Sequence, residues 1–178
     1  MGSGLTEVTL PTSLKVIGTS ATAASASSAV DTFRDCVSLT KVNGLEKITK
    51  LAKGVFAGCT SLTSVDLAAC TQVGYECFMG CTSLTDVDLP KVTSLGSNAF
   101  TGCTQLSSVN LNSALTSLGT ESFMGCTSLV SITLPAKLTS VGAKVFMDCT
   151  ALESITIPAN VTYIGYSYYS DSTTTGYT

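Results

Sequence analysis

Apolar and polar residues alternate in short segments that recur along almost the whole chain. In residues 84–89 (LTDVDL), Val87 and Leu89 alternate with Asp86 and Asp88. This alternation is typical of a β-strand that buries one face and exposes the other. A second apolar cluster follows in each unit, as at residues 138–145, and we expect it to cover the opposite side of the core.

A phenylalanine with a cysteine three positions later marks each unit, at intervals of 22 or 23 residues. The pairs are Phe33 and Cys36, Phe56 and Cys59, Phe78 and Cys81, Phe100 and Cys103, Phe123 and Cys126, and Phe146 and Cys149. The consensus unit reads F-x-G-C-T-S-L-T-x-V-x-L-(P)-x-x-L-T-x-V/L-G-x-x-x. A period of this length with L-x-x-L-x-L spacing predicts a leucine-rich repeat solenoid, in which each coil buries its apolar face only against its neighbours.

We predict about seven coils, the first of which, in residues 5–18, lacks the Phe-Cys start. One strand per coil is expected to form a single parallel β-sheet on the concave face. The unit is too short for a long helix, so short turns or 3-10 segments are expected on the convex face. Glycines are expected where the chain must turn tightly. They are Gly74, Gly96, Gly119, Gly142 and Gly165.

The predicted organisation is one solenoid domain over residues 5–169. Residues 1–4 resemble an expression leader, and residues 170–178 form a Ser/Thr/Gly-rich tail. Tyr169 takes the position of the next phenylalanine. An Ala/Ser-rich insertion within 19–32 is interpreted either as a short helix that caps the first coil, which we favour, or as a loop.

Segments such as residues 123–129 (FMGCTSL) and 132–135 (ITLP) closely resemble the BspA-like leucine-rich repeats, the Treponema pallidum-type subclass. The resemblance covers residues 5–169 and departs locally, as where Gly44 replaces the final leucine of a strand and Leu45 is expected to fill its place. It implies a bacterial or protist protein that is secreted or on the cell surface, and a non-enzymatic module for binding or adhesion to an extracellular protein or glycan. A fold does not fix a function, so this implication is an analogy.

Composition excludes several functional classes. The 178-residue chain has a net charge of −3 and only 12% charged residues, so it offers no basic stripe for nucleic acid. No apolar run approaches the ~18 residues of a membrane span, and we expect no membrane insertion. There is no histidine, no G-x-S-x-G elbow and no phosphate-binding glycine loop. We therefore expect no enzyme activity and no cofactor.

Six of the eight cysteines occupy one repeat position and are expected to stack as an inward-facing ladder of reduced core thiols. A disulfide is the alternative, because the rung spacing lies within disulfide range. The remaining two, Cys70 and Cys77, leave a Cys70–Cys77 or Cys77–Cys81 bridge open. A zinc site requires ligands that converge, whereas this column is collinear.

Variation between units is concentrated in two outward columns of the predicted strands. The first column is Glu7, Lys41, Ser64, Asp86, Ser108, Ser131 and Ser154, and the second is Thr9, Asn43, Asp66, Asp88, Asn110, Thr133 and Thr156. Three carboxylates, those of Asp66, Asp86 and Asp88, are expected to gather near the middle, where they suit either Ca²⁺ or a basic partner. The alternative is that they are ordinary solvated acids. The candidate partner-binding residues are Lys41, Asn43, Asp66, Asp86, Asp88 and Asn110.

Three further features have structural or functional interpretations. The column Thr60, Thr82, Thr104, Thr127 and Thr150 is expected to satisfy backbone groups rather than to bind ice. The segment 160–162 (NVT) is a formal glycosylation sequon, which by itself is weak evidence. Neither end has an obvious cap, so a self-associating structural protein that assembles end to end is the alternative to a binding module.

Overall fold

The structure, a computed structural model, describes residues 4–18 and 31–166. The predictions for Tyr169, for the tail, for residues 1–3 of the leader and for residues 19–30 of the insertion lie outside this part of the chain. The described strands and the 3-10 helix η1 are short. They are β1 Glu7–Thr9, β2 Val16–Ile17, β3 Lys41–Asn43, η1 Leu45–Lys47, β4 Lys50–Leu51, β5 Gln72–Val73, β6 Asp86–Leu89, β7 Ser94–Leu95, β8 Ser108–Leu111, β9 Ser117–Leu118, β10 Ser140–Gly142 and β11 Tyr163–Tyr166.

The predicted repeat solenoid is confirmed. A seven-stranded sheet runs along it in the order β11-β10-β9-β7-β5-β4-β2, and every pair is parallel. Each coil contributes one rung, so that Val73 of β5 lies opposite Leu51 of β4 and Leu95 of β7. We call this the glycine face, because most of its strands are followed or ended by a glycine.

The continuous sheet does not lie where the alternating pattern predicts it. The L-x-x-V-x-L segments, which carry the two outward columns, form two separate two-stranded sheets, β1–β3 and β6–β8. At residues 62–67 and 129–134 the same segment has the expected alternation of burial but forms no strand, and in the last described coil Ile157 at the inward position is exposed. We call this the variable face. Burial follows the apolar pattern there, whereas pairing also requires close approach of the coils.

Glycine supplies that close approach on the other face. A Cβ placed on Gly96 would lie 2.6 Å from the carbonyl carbon of Gly74, and one placed on Gly74 would lie 2.6 Å from that of Ala52. These backbone atoms belong to the preceding coil, so a side chain would push the two coils apart. Of the five glycines expected at tight turns, only Gly165 has a positive φ, of 84°. The expectation is therefore wrong for the other four, which are Gly74, Gly96, Gly119 and Gly142.

The tight turn lies instead beside the phenylalanine, at the third position of F-x-G-C. Gly58, Gly80, Gly102 and Gly125 have φ between 71° and 73° there. Their counterparts in the first and last Phe-Cys units are aspartates, which tolerate the left-handed conformation better than most side chains. These are Asp35, with φ 56°, and Asp148, with φ 60°.

Six phenylalanine rings form one stack through the core. Neighbouring ring centroids are 5.3–6.1 Å apart, with interplanar angles of 3–11°. The rings define five steps, so the solenoid has about five complete turns with partial coils at both ends, slightly fewer than the predicted seven. The local departure at Gly44 is also resolved, because Leu45 is buried and opens η1.

The cysteines stack beside the rings. All eight are free and buried, in agreement with the interpretation as core thiols. Five thiols of the ladder donate to the phenylalanine carbonyl oxygen of the preceding coil, as Cys81 does to Phe56 at 3.1 Å and Cys126 does to Phe100 at 3.3 Å. The ladder thus links adjacent coils by side-chain hydrogen bonds as well as by packing.

Candidate binding face

The variable face presents the predicted outward columns to solvent. In β6, Asp86 and Asp88 are exposed while Val87 and Leu89 are buried. Parallel pairing with β8 places Asp88 directly opposite Asn110. The Asn110 Nδ2 donates to Asp88 Oδ1 at 3.0 Å, so two of the predicted candidate residues form one polar pair.

The Asp86 carboxylate is held differently. Its Oδ1 accepts a hydrogen bond of 2.9 Å from the hydroxyl of Thr85, the preceding residue. Asp66 lies in a coil that has no assigned strand on this face, and its Oδ1 accepts a bond of 3.0 Å from the Ala68 N–H. The expected rung pairing of Asp66 with Asp88 is therefore absent from the described structure, in which β6 pairs only with β8. The Asp66 side chain therefore stabilises a local turn of its own backbone and takes no part in strand pairing.

The other two candidates form a separate cluster at the N-terminal end of the face. Lys41 Nζ lies 3.7 Å from Glu7 Oε1, and Asn43 Nδ2 donates to the same carboxylate oxygen at 2.7 Å. Asn43 also donates to the Thr9 hydroxyl at 3.2 Å. Glu7, which the sequence prediction left out of the candidate set, therefore organises this cluster. Its place directly opposite Lys41 in the β1–β3 register is the signal that would have found it.

Charged groups on the variable face are partnered differently from those that flank the phenylalanine column. We call the latter surface the phenylalanine edge, and its charged residues include Asp31, Arg34, Glu76, Glu121, Lys144 and Asp148. At that edge, Arg34 pairs with Asp31 at 3.0 Å and with Glu76 at 3.5 Å, and Lys144 pairs with Glu121 at 3.7 Å. No ion pair among the described residues includes the three central carboxylates, which accept hydrogen bonds only from neutral groups. Their negative charge is therefore open to a partner.

A calcium site gains no support from this geometry. Within residues 4–18 and 31–166, no group of three or more acidic, cysteine or histidine side chains is arranged to hold a metal ion. Calcium requires six to eight oxygen ligands from groups that converge, whereas Asp66 and Asp86 each face a local donor.

The threonine column is engaged with the backbone. The Thr82 hydroxyl donates to the carbonyl oxygen of Thr60 at 3.4 Å, and Thr127 donates in the same way to Thr104 at 3.1 Å. A second ladder on the glycine face repeats the arrangement, with Thr71 donating to Thr49 at 3.0 Å. These hydroxyls join successive coils, as the structural interpretation of the column expects.

Buried thiols offer no nucleophile. Burial raises the pKa of the Cys59 and Cys126 thiols to about 12, and that of Cys70 to about 11. Burial also raises the pKa of Cys77 and Cys103 well above its ordinary value. Since the thiolate is the reactive form, these cysteines are chemically protected at neutral pH.

A cleft that the sequence prediction missed opens on the C-terminal part of the variable face. It has a volume of about 390 Å³ and lies between two neighbouring coils, at residues 131–136 and 154–158. Hydroxyl groups of Ser131, Thr133, Ser154 and Thr156 line it, together with Ile132 and Ile155. The sequence signal is Val130, which is exposed and breaks a column of threonine and serine. Elsewhere this column bonds to the preceding coil, as the Ser107 hydroxyl does to the Thr85 carbonyl oxygen at 3.2 Å.

In the described part of the chain, no helix is long and apolar enough to cross a membrane. Solved structures show the same fold. A leucine-rich repeat protein from Bacteroides ovatus matches with a TM-score of 0.68 and 24% identity, over 90% of this chain and 39% of that one. One from Eubacterium ventriosum matches with a TM-score of 0.61 and 21% identity, over 86% of this chain and 45% of that one.

A third match is a leucine rich cell surface protein from Faecalibacterium prausnitzii, with a TM-score of 0.51 and 20% identity over 92% of this chain and 60% of that one. The chain thus spans 39–60% of the length of these three relatives. No curated protein sequence matches it significantly.

The sequence profile of the BspA type leucine rich repeat region matches the chain in six copies, over residues 1–91 and 71–176. The overlapping matches cover nearly the whole sequence and include the repeated Phe-Cys units that carry the resemblance. The stacked rings and the cysteine ladder show why the profile recurs, because each unit builds one equivalent coil. The chain therefore belongs to the BspA type leucine rich repeat family.

Proposed function

We propose that the protein is a non-enzymatic binding module, located on the cell surface or secreted, that presents its variable face to an extracellular protein or glycan. The observation that carries the proposal is the division between constant and variable positions. The middle position of the L-x-x-V-x-L segment is valine or isoleucine in every coil, whereas its outward neighbours range from Lys41 to Asp86 to Ser131. A solenoid whose solvent-facing strand positions vary while the apolar position between them is kept is suited to recognition.

The charges of the face support a protein partner with basic groups at its contact. The carboxylates of Asp86 and Asp88 are exposed and have no ion-pair partner among the described residues, while Arg34 and Lys144 at the phenylalanine edge each pair with a carboxylate. Lys41 and Asn43 are already engaged by Glu7 and would contribute mainly by shape. Complementary charge of this kind gives specificity and accelerates association.

The surface location is supported by a structural relative. The matched Faecalibacterium prausnitzii protein is a leucine rich cell surface protein, although a likeness at 20% identity establishes the fold alone. The chain has no histidine, and burial raises the pKa of the Cys59 and Cys126 thiols, so neither the usual general base nor a reactive thiolate is provided by these residues.

A binding screen against immobilised extracellular-matrix proteins and glycans tests the proposal. The chain is compared with the double variant Asp86→Asn, Asp88→Asn, and the control is Asp148→Asn, an exposed aspartate on the phenylalanine edge whose backbone conformation asparagine also tolerates. Removal of two exposed charges is expected to weaken binding about 5- to 30-fold. The control should bind like the parent chain.

Salt provides a second measurement. Binding through the carboxylates should weaken as salt rises from roughly 0.05 to 0.5 M, because exposed charges are screened over that range. If the screen finds no partner, the proposal fails, and if binding does not weaken as salt rises, the carboxylates are not the contact. If a partner binds the parent and the double variant equally, the variable-face assignment is wrong.

A further inference from the structure

The cleft between residues 131–136 and 154–158 is a local opening between two coils that are joined on either side of it. Before the cleft, the Thr150 hydroxyl donates to the carbonyl oxygen of Thr127 at 3.5 Å. Beyond it, the Asn160 Nδ2 donates to the carbonyl oxygen of Ala136 at 2.8 Å. Between these two bonds, no main-chain hydrogen bond joins the described residues of the two segments. The coils therefore part along the strand positions of the variable face and meet again at its ends.

The opening arises because the bonds that close the gap in earlier coils are missing. Ser107 bonds twice to the carbonyl oxygen of Thr85, through its N–H at 2.9 Å and through its hydroxyl at 3.2 Å. The equivalent residues of the next two coils are Val130 and Glu153, whose side chains have no hydroxyl to donate. Among the described residues, their N–H groups also form no main-chain hydrogen bond. The two walls of the cleft therefore keep main-chain donors and acceptors that β6 and β8 use for pairing.

The two walls carry the same side chains in the same order. Each contributes serine, isoleucine and threonine, as residues 131–133 and 154–156. The serine and threonine hydroxyls form no hydrogen bond within the described part of the chain, whereas the threonine columns elsewhere bond to the preceding coil. The isoleucines between them add apolar surface. None of the described residues that line the cleft is charged, in contrast to the central carboxylates of the same face.

We propose that this cleft binds a neutral saccharide of one or two sugar rings. A sugar presents hydroxyl groups that both donate and accept hydrogen bonds, as the serine and threonine hydroxyls and the main-chain groups of the walls also do. Its C–H faces can pack on the isoleucines. The volume of about 390 Å³ lies near the lower end of the roughly 300–1,000 Å³ that small-molecule sites occupy. Because the lining has no charge, it selects neither an acidic nor a basic ligand.

Saccharide binding in the cleft rests on the proposed function, because it uses the variable face for recognition, and it adds a second kind of ligand at a second place on that face. The carboxylates of Asp86 and Asp88 lie two coils before the cleft. Binding of a neutral sugar should therefore be the same in the double variant Asp86→Asn, Asp88→Asn. It should also change little between roughly 0.05 and 0.5 M salt, because salt screens only charged groups.

Saturation-transfer NMR of the full chain provides the test, with a panel of neutral glucose, galactose and N-acetylglucosamine disaccharides as probes. We expect saturable binding of at least one of them in the roughly millimolar range. The double variant Ser131→Ala, Ser154→Ala should weaken this binding about 5- to 30-fold, because each substitution removes one hydrogen bond to the sugar. The matched control is Ser64→Ala, Ser108→Ala, which removes two exposed hydroxyls from the same column outside the cleft.

The variant Glu153→Thr tests the shape of the cleft separately. Threonine at this position can donate to the carbonyl oxygen of Val130, as Ser107 does to Thr85 one coil pair earlier. We expect this bond to draw the two walls together and to weaken sugar binding to a similar extent. No residue that lines the cleft is changed in this variant, so the loss would follow from the width of the opening.

Three results would overturn the assignment. The first is a parent chain that binds none of the disaccharides saturably. The second is a Ser131→Ala, Ser154→Ala chain that binds a sugar as the parent does. The third is an uncharged hexapeptide of serine, valine and glycine that binds in the cleft when no sugar does, which would make it a peptide site.

These results are distinguishable from failure of the proposed function. A chain that binds no sugar, but loses a protein partner in the Asp86→Asn, Asp88→Asn variant, retains the proposed function without the saccharide site. A chain that binds a sugar in the cleft, and finds no protein partner in the immobilised screen, retains the saccharide site without the role of the carboxylates.

Discussion

The replacement of Ser122 by alanine should stabilise the protein. Ser122 precedes Phe123 in the core, its side chain is 0% exposed, and its Oγ has no hydrogen-bond partner within the described structure. A buried hydroxyl without a partner costs about 1–3 kcal/mol. The void left by one oxygen atom costs well under about 1 kcal/mol. We therefore expect Ser122→Ala to raise the free energy of unfolding by about 1 kcal/mol.

The neighbouring coil supplies the reverse experiment. Ala99 occupies the same repeat position and is also fully buried, so Ala99→Ser places an unpartnered hydroxyl in an equivalent site. We expect it to lower the free energy of unfolding by about 1–3 kcal/mol. The two variants differ from the parent chain by one atom each, in opposite directions.

Urea unfolding followed by circular dichroism measures both changes. At a slope of about 2 kcal/mol/M, Ser122→Ala should shift the midpoint upward by roughly 0.5 M. The slope must be unchanged for this comparison, since repeat proteins can lose cooperativity. A Ser122→Ala chain less stable than the parent, or an Ala99→Ser chain of equal stability, would refute the reasoning. Either result would mean that the hydroxyl at this position finds a partner.

Two further predictions concern the glycines and the thiols. Gly96→Ala should destabilise the fold by several kcal/mol because its Cβ would meet the preceding backbone at 2.6 Å, whereas Gly80→Ala, with φ 71° and no atom nearer than 3.9 Å, should cost only about 1 kcal/mol by urea unfolding. Equal losses would contradict the two distinct roles. Because burial raises the pKa of Cys59 and Cys126 to about 12, the folded state holds these protons more tightly than the unfolded state. The contribution of these thiols to stability should be constant below the ordinary thiol pKa of 9.0 and should fall as pH rises towards 12, with a shallower fall in Cys126→Ser. A urea midpoint that falls equally in the parent chain and in Cys126→Ser between pH 9 and pH 12 would count against this.

The sequence predicts the core of this fold well because the core is repeated. Six equivalent rings and six equivalent thiols can stack in only one way, and the period places both columns before any coordinates are known. The location of the continuous sheet is harder to predict. Alternation reports which side chains are buried, as in β6, but hydrogen bonding between coils also depends on how closely their backbones approach. The backbones approach closely because glycines such as Gly96 have no Cβ atom, and the pattern of apolar residues does not show this.

The candidate site is predictable to the same extent and for the same reason. The outward columns are exposed as predicted except at Asn43, which is half-buried, and the repeat register alone would pair Asp88 with Asn110 and Glu7 with Lys41. The sequence does not show which side chains form hydrogen bonds with their own local backbone. The Asp66 carboxylate accepts a bond from an N–H two residues later, and its coil leaves the ladder that the alternation predicts.

The rigidity of the stack bears directly on what the variable face can recognise. An exposed ion pair contributes only about 0–1 kcal/mol, so no single carboxylate of this face can determine a partner. Asp86 and Asp88 lie on one strand, and the ring stack and the cysteine ladder fix that strand relative to its neighbours. A partner with basic groups at the matching spacing gains several weak contacts without the cost of ordering a loop. Specificity on such a surface therefore depends on the spacing of the coils as much as on the identity of the side chains.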